Sequence, residues 1–383
     1  MIIFFITFFT VYTLLNYYVF LKAFHILPNN WIIKSIFIFL FILVSYGYVI
    51  SKSLYNYLSV TVYDIWLTVG AIWFAMLVYF VLIIFTIDLI LLLNKFLKFL
   101  PVILFEFKSK VIIASSVFAI VSVIVFLGNL NKRDIITTTL EISIPKLKGK
   151  LDNLNIVLAS DIHLSPIDGE RLLPKLVNKI NALNPDIILF AGDIVDDKAE
   201  ILEAQGIGKS FLKLKSKYGL FTINGNHEFI NGINSSVRYA QKLGMTVLLD
   251  TAVLIDESFY LIGREDSTKF RFEGVHRKTL ASIVEDLDSF PKILIDHTPF
   301  NLSEAVQNNI DLQLSGHTHH GQIWPANIIT SLIYEISWGY KKSGNTHFYV
   351  TSGAGTWGPP VRTGSKSEIV NIKINFEWIT IKS

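Results

Sequence analysis

Long apolar runs fill the first part of the chain and stop near residue 130. A helix needs roughly 20 mostly apolar residues to cross the hydrocarbon core of a bilayer, and four runs reach that length: residues 2–20, 31–50, 65–92 and 111–130. The first and last carry no charge, the second carries only Lys34, and the third contains Asp88 near its end. Trp31, Tyr55, Tyr63 and Trp66 lie close to the run ends, where amphipathic rings favour the membrane–water interface. A helix from Ile65 to Phe85 already has a spanning length, so Asp88 is expected at the interface. The first run lacks a basic leader and a small-x-small cleavage pattern, and it reads as a retained anchor. Lys22 and Lys34 flank the first loop and Lys95, Lys98, Lys108 and Lys110 the third, against Lys52 in the second and Lys132 with Arg133 after the last run. The positive-inside rule then places loops one and three in the cytoplasm. With an even number of spans, everything after residue 131 is expected outside.

From residue 132 the pattern changes. Alternating or β-branched stretches at 135–144, 155–160, 187–190, 220–223, 246–249, 259–262, 292–295, 312–315 and 347–351 predict strands. Between them, apolar residues at three- and four-residue intervals predict helices over 170–183, 199–215, 236–243, 276–287 and 301–307. Strands alternating with helices predict an α/β domain over 132–383 with its ligands at the carboxyl ends of the strands.

Composition narrows the chemistry. Acidic residues before Asp134 are limited to Asp64, Asp88 and Glu106, whereas all four charged types recur every few positions afterwards. The net charge of +3 is small and the basic residues form no block, so nucleic acid is not an expected partner. The chain has no cysteine, which removes disulfides, thiolate nucleophiles and Cys-ligated zinc; any metal must be held by N and O donors.

Five short motifs supply such donors: Asp161-Ile162-His163, Gly192-Asp193, Gly225-Asn226-His227-Glu228, Asp296-His297 and Gly316-His317-Thr318-His319. Each begins where a predicted strand ends. Alone, each motif reads as a surface loop. Together they gather His163, His227, His297, His317, His319 and His320 out of nine histidines, a clustering that core or solvated histidines do not need. Carboxylate and imidazole ligands suit Mn, Fe or Zn, and one Asp can bridge two cations about 3.5–4 Å apart. Such a pair acidifies water and clamps phosphoryl oxygens, so no protein nucleophile is required. Gly353 to Gly358 also fits G-x-G-x-x-G, but Pro359-Pro360 follow where a dinucleotide-binding turn needs a helix.

The order, spacing and strand-end context of the five motifs resemble the calcineurin-like metallophosphoesterase superfamily. The resemblance implies a two-sheet β-sandwich flanked by helices. It implies a first metal held by Asp161, His163, Asp193 and His319, and a second by Asp193, Asn226, His297 and His317, with Asp193 as the bridge. His227 is then the non-ligand histidine beside the scissile phosphate and Asp196 the carboxylate that orients it. The cofactors expected are two divalent cations, Mn first, with Fe or Zn as alternatives. The Gly316 to Pro325 stretch and the Gly353 to Arg362 loop resemble a membrane-associated branch similar to UDP-2,3-diacylglucosamine hydrolases. His320 stands where that branch more often has Gly, and it and Arg362 are candidate substrate contacts. The expected substrate is a phosphodiester or pyrophosphate in a lipid-linked molecule. The apolar, aromatic segment from Ile323 to Tyr340, next to the last ligand motif, points the same way, and so does the short link from Leu130 to Ile135. The alternatives are a broad-specificity phosphodiesterase or phosphatase on soluble substrates, or a membrane protein whose soluble domain regulates transport.

Overall fold

The computed structural model describes residues 2–379, with side chains from residue 6 onward. The chain forms two compact units, one of Met1–Leu130 with Pro359–Val361 and one of Asn131–Gly358 with Arg362–Ser383. In the first unit the predicted runs become the helices α1 (Ile2–Phe24), α2 (Trp31–Leu54), α3 (Val60–Leu97) and α4 (Phe107–Asn131). Among the described residues, the three helical stretches Trp31–Tyr57, Val60–Leu97 and Phe107–Asn131 are long and apolar enough to cross a membrane. Polar groups on these helices are paired across helices, as a lipid-exposed setting demands. Trp73 Nε1 donates to Asn16 Oδ1 (2.8 Å), and Asp88 accepts from Tyr18 Oη and pairs with Lys22 Nζ, both at 2.6 Å. Helix α3 runs without a break through Asp88, so the acid lies on the helix and is held by α1. Small residues set the spacing of α2 and α3, since a Cβ on Gly70 would lie 2.1 Å from Tyr48 N.

The second unit is built on two six-stranded sheets. The first runs in the order β1 (Ile135–Lys146), β12 (Ser367–Trp378), β2 (Asn153–Ala159), β3 (Ile187–Phe190), β4 (Leu220–Thr222), β5 (Thr246–Val247). The second runs β10 (Gly339–Ser343), β11 (Thr346–Val350), β9 (Leu312–Ser315), β8 (Lys292–Ile295), β7 (Phe259–Gly263), β6 (Thr251–Ile255). Strands β2 to β5 are mutually parallel, as are β7, β8, β9 and β11. Ile156, Leu158, Leu189, Ile293, Ile295, Leu312 and Leu314 are buried between the sheets, giving the sandwich core. Helices Leu173–Ala182 and Ile233–Lys242 cover the outer face of the first sheet through Leu176, Ile180 and Tyr239.

The nine expected strands are present. Strands β6, β10 and β12 are additional, and β12 inserts between β1 and β2. The helix expected over 199–215 ends at Gln205, because Gly206 and Gly208 take left-handed φ values of 67° and 100°.

Candidate metal centre

The chemistry-bearing side chains sit just beyond the carboxyl ends of parallel strands. Asp161 and His163 follow β2, Asp193 and Asp196 follow β3, Asn226 and His227 follow β4, His297 follows β8, and His317 and His319 follow β9. Five of them hold positive φ: Asp161 (53°), His163 (52°), Asp193 (53°), His317 (70°) and His319 (47°). Left-handed backbone costs an L-residue about 1–2 kcal/mol, so these loops are held against a local penalty, a pattern that gathers at functional sites. Close backbone approach adds a demand for glycine, since a Cβ on Gly225 would lie 2.2 Å from Asp193 Oδ1 and one on Gly316 2.3 Å from Asp161 Oδ2.

Two candidate donor sets result. In the first, His163 Nε2 is 3.0 Å from His319 Nε2 and 3.7 Å from Asp193 Oδ2, and His319 Nε2 is 3.4 Å from Asp161 Oδ1. In the second, Asn226 Oδ1 lies 2.9 Å from His317 Nδ1 and 3.2 Å from His297 Nε2, and His297 Nε2 lies 3.3 Å from His317 Nδ1 and 3.2 Å from Asp193 Oδ2. Donors about 2.0–2.2 Å from one cation stand roughly 3 Å apart, so both sets have the spacing of a coordination shell. Asp193 Oδ2 belongs to both. His297 Nδ1 lies 2.7 Å from Ala191 O; as the donor of that bond it leaves the Nε2 lone pair facing the cluster, the arrangement a metal-binding imidazole needs. The all N and O donor set fits two divalent cations of the Mn, Fe or Zn kind.

His227 stands beside the cluster with Nδ1 2.8 Å from Asp196 Oδ1. Burial disfavours charge on its ring, but the Asp193 and Asp196 carboxylates outweigh burial and push its pKa up to about 9. Burial likewise opposes charge on Asp196, and its bonds to His163 and His227 overcome this and hold the carboxyl well below the usual range. The two carboxylates thus favour the protonated ring, which makes His227 a candidate proton donor beside the cluster.

Other placements differ from expectation. Arg362 is fully buried, and its guanidinium donates to the carbonyls of Ser352, Gly353, Gly355 and Lys366. Its Nη2 also lies 3.3 Å from His319 Nδ1. It braces the 352–355 loop beneath the first ligand set, and this burial does not suit the direct substrate contact expected of it. His320 packs its ring on Trp338 (centroids 5.2 Å) with Nδ1 3.3 Å from Ser337 Oγ, so it faces the 337–338 loop and not the ligand sets. Asp296 is tied to Arg264 and Arg277 at 3.2 and 2.7 Å.

Glu228 received no role from the sequence. Buried, it accepts from the backbone N–H groups of Asp193, Ile194, Val195 and Gly225 at 2.7–3.2 Å, locking the Asp193 loop to the Asn226 loop. Its bond back to Gly225 is half of a capping box, a pattern hidden here because glycine replaces Ser or Thr at the cap. The aromatic segment expected beside the last ligand motif supplies Tyr334 to a rim that Phe300 and Trp357 extend. Tyr334 meets His317 at 6.1 Å and stacks on Phe300 at 4.8 Å, while the half-exposed Trp357 meets His227 at 6.1 Å. Gln322 bonds both the N–H and the C=O of Trp357, each at 2.9 Å.

Fold and site together point to a class, a two-sheet domain with two candidate N/O donor sets that share one carboxylate. The calcineurin-like phosphoesterase profile matches residues 154–321. A metallophosphoesterase of Aquifex aeolicus is 31% identical over 224 residues, covering 58% of this chain and 85% of that protein. A metallophosphoesterase of Helicobacter pylori is 34% identical over 243 residues, covering 60% of this chain and 64% of its own length. A Danio rerio protein named as a transmembrane protein with metallophosphoesterase domain is 32% identical over 246 residues, covering 61% and 55%. The chain thus spans under two thirds of the Helicobacter and Danio relatives. It belongs to the calcineurin-like phosphoesterase family.

Proposed function

We propose that the chain is a two-metal-ion phosphoesterase of a membrane, acting on a phosphodiester or pyrophosphate in a lipid-linked substrate. The observation that carries the hydrolytic reading is the shared Asp193 oxygen, 3.2 Å from His297 and 3.7 Å from His163. Asp161, His163, Asp193 and His319 would hold one cation, and Asp193, Asn226, His297 and His317 the other. When bound, the two cations supply positive charge to the phosphoryl oxygens and acidify water. The chain's own residues do the rest. His227 gives its proton to the leaving oxygen, Asp196 keeps that ring aimed and charged, and Glu228 and Arg362 hold the ligand loops in register. The lipid-linked reading is supported by the aromatic rim of Tyr334, Phe300 and Trp357, which suits an apolar leaving group better than a free sugar phosphate.

The test uses purified full-length protein stripped of metal and reloaded with Mn, Fe or Zn. Its kcat/KM is measured on a phosphodiester, a monoester, a soluble nucleotide sugar diphosphate and the diacylated form of the same molecule in detergent micelles. Hydrolysis is expected only with metal, and most efficiently on the acylated pyrophosphate. Equal efficiency on the acylated and soluble forms removes the lipid reading and leaves a broad-specificity phosphoesterase. Activity in the stripped protein ends the metal reading.

The Lys and Arg distribution supports a multi-pass anchor with the catalytic domain outside the cytoplasm. A single cysteine at exposed Ser343, in a chain that otherwise has none, is expected to react with an impermeant thiol reagent in intact cells, after outer-membrane permeabilisation where one exists. Labelling only after lysis places the domain in the cytoplasm.

A further inference from the structure

The helix Ala326–Ile333 follows directly on the His317–His319 loop and is built inside out. It has no buried residue, and its four large apolar side chains are all exposed: Ile328 52%, Ile329 55%, Leu332 82% and Ile333 58%. Residues 328 and 332, and 329 and 333, are four apart, so they form one continuous face. The hydroxyl-bearing residues satisfy themselves against the backbone instead, with Thr330 Oγ1 and Ser331 Oγ donating to Asn327 O at 3.1 and 2.8 Å. A helix in water buries its apolar stripe; this one presents it.

The helix is also rigidly mounted. A Cβ on Gly321 would lie 2.0 Å from Asn327 N, so the helix start abuts the ligand loop. Trp324 N donates to Thr363 Oγ1 at 3.1 Å, and the Trp338 indole N–H donates at 3.0 Å to Glu368, whose carboxylate is fully buried. Trp324, Trp338 and Tyr340 remain 45–49% exposed on either side of the aliphatic face. Residues 323–334 contain no charge; Glu335 follows and pairs with Lys341 at 2.5 Å, and Lys342 comes next. An uncharged aliphatic centre, aromatic flanks and a neighbouring Lys342 are complementary to a lipid surface: acyl chains take the aliphatics, the interface takes Trp and Tyr, and an anionic headgroup takes the lysine.

We propose that the Ala326–Ile333 helix lies in the headgroup–acyl boundary of a lipid bilayer and so holds the metal loops at the depth of a lipid headgroup. This deepens the membrane phosphoesterase reading above and rests on it. Because the chain lacks cysteine, single variants of the full-length protein, Leu332→Cys and, as control, Ser343→Cys, can each carry an environment-sensitive fluorophore. Both are reconstituted in phosphatidylcholine–phosphatidylglycerol vesicles with or without brominated acyl chains. The expected result is blue-shifted emission at 332 and several-fold stronger bromine quenching there than at 343. Equal, weak quenching at both positions overturns the proposal. Blue-shifted emission at 332 that bromine does not quench also overturns it, in favour of a protein covering. Neither readout needs turnover. Embedding without hydrolysis on the substrate panel would sink the enzymatic reading alone, and hydrolysis of the acylated substrate without embedding would sink this one alone.

Discussion

Asp193→Asn is expected to remove hydrolysis almost completely and to leave the fold intact. The substitution is isosteric at a residue only 2% exposed, so nothing is overpacked and no cavity opens. Its effect is on donors and charge. Asp193 Oδ1 accepts the His227 backbone N–H at 2.9 Å, while Oδ2 faces His297 and His163. An amide has one oxygen to share between these tasks. If its NH2 faces the histidines, both cation sets gain a donor where they need a lone pair; if it faces His227, two donors oppose each other across a buried contact. In either orientation the bridging negative charge is gone. A loss of kcat/KM of about 10³-fold or more is expected, equivalent to roughly 4 kcal/mol of transition-state stabilisation. Metal analysis should show that occupancy of both sites falls together. Occupancy lost at one site only, or activity near that of the parent at saturating Mn, contradicts a shared bridge. An unchanged far-ultraviolet circular dichroism spectrum confirms that the loss is chemical.

The motif residues were legible because each follows a short apolar strand that ends abruptly in Gly, Asp, Asn or His, and strand ends in parallel sheets point to one edge. What periodicity cannot carry is neighbourhood. The alternation of Ile372, Ile374 and Phe376 marks a strand face, but nothing local says that β12 inserts between β1 and β2. That return also explains Arg362. In the sequence it sits in a Gly- and Pro-rich loop that reads as exposed, yet carbonyls from residues 352, 353, 355 and 366 close around it and provide a buried guanidinium with the acceptors it requires. Glu228 was invisible for a related reason, since its partners 193–195 lie on another strand-end loop. The 326–333 helix was read only as an apolar excursion. Its side chains have helical spacing, but a helix is assigned with assurance when its apolar stripe has a core to face, and here the stripe faces outward.

His227→Ala tests whether the imidazole is a proton donor or a ligand. The donor atoms of His163, Asp193 and His227 lie within 4.8 Å of one another, so proximity alone would allow coordination. The donor role rests on Nδ1 facing Asp196 Oδ1 at 2.8 Å, a contact that, with Asp193 close by, favours the protonated ring. The variant is therefore expected to retain near-normal metal content and to lose about 10²–10⁴-fold in kcat, the range of general acid catalysis. The loss should depend on the leaving group. A phosphodiester that expels an acidic phenol needs little protonation and should lose far less than one that expels an alcohol. Asp196→Asn should lower kcat in the same leaving-group-dependent way. Combined with His227→Ala it should add little, because Asp196 acts on the proton through the ring that is already gone. Its longer 3.5 Å approach to His163 Nδ1 predicts at most a modest weakening of the first metal set, which metal titration of the single variant would separate from the catalytic loss. A uniform loss across leaving groups would assign His227 to charge stabilisation of the phosphoryl group instead of proton donation. Loss of one equivalent of metal would make it a ligand.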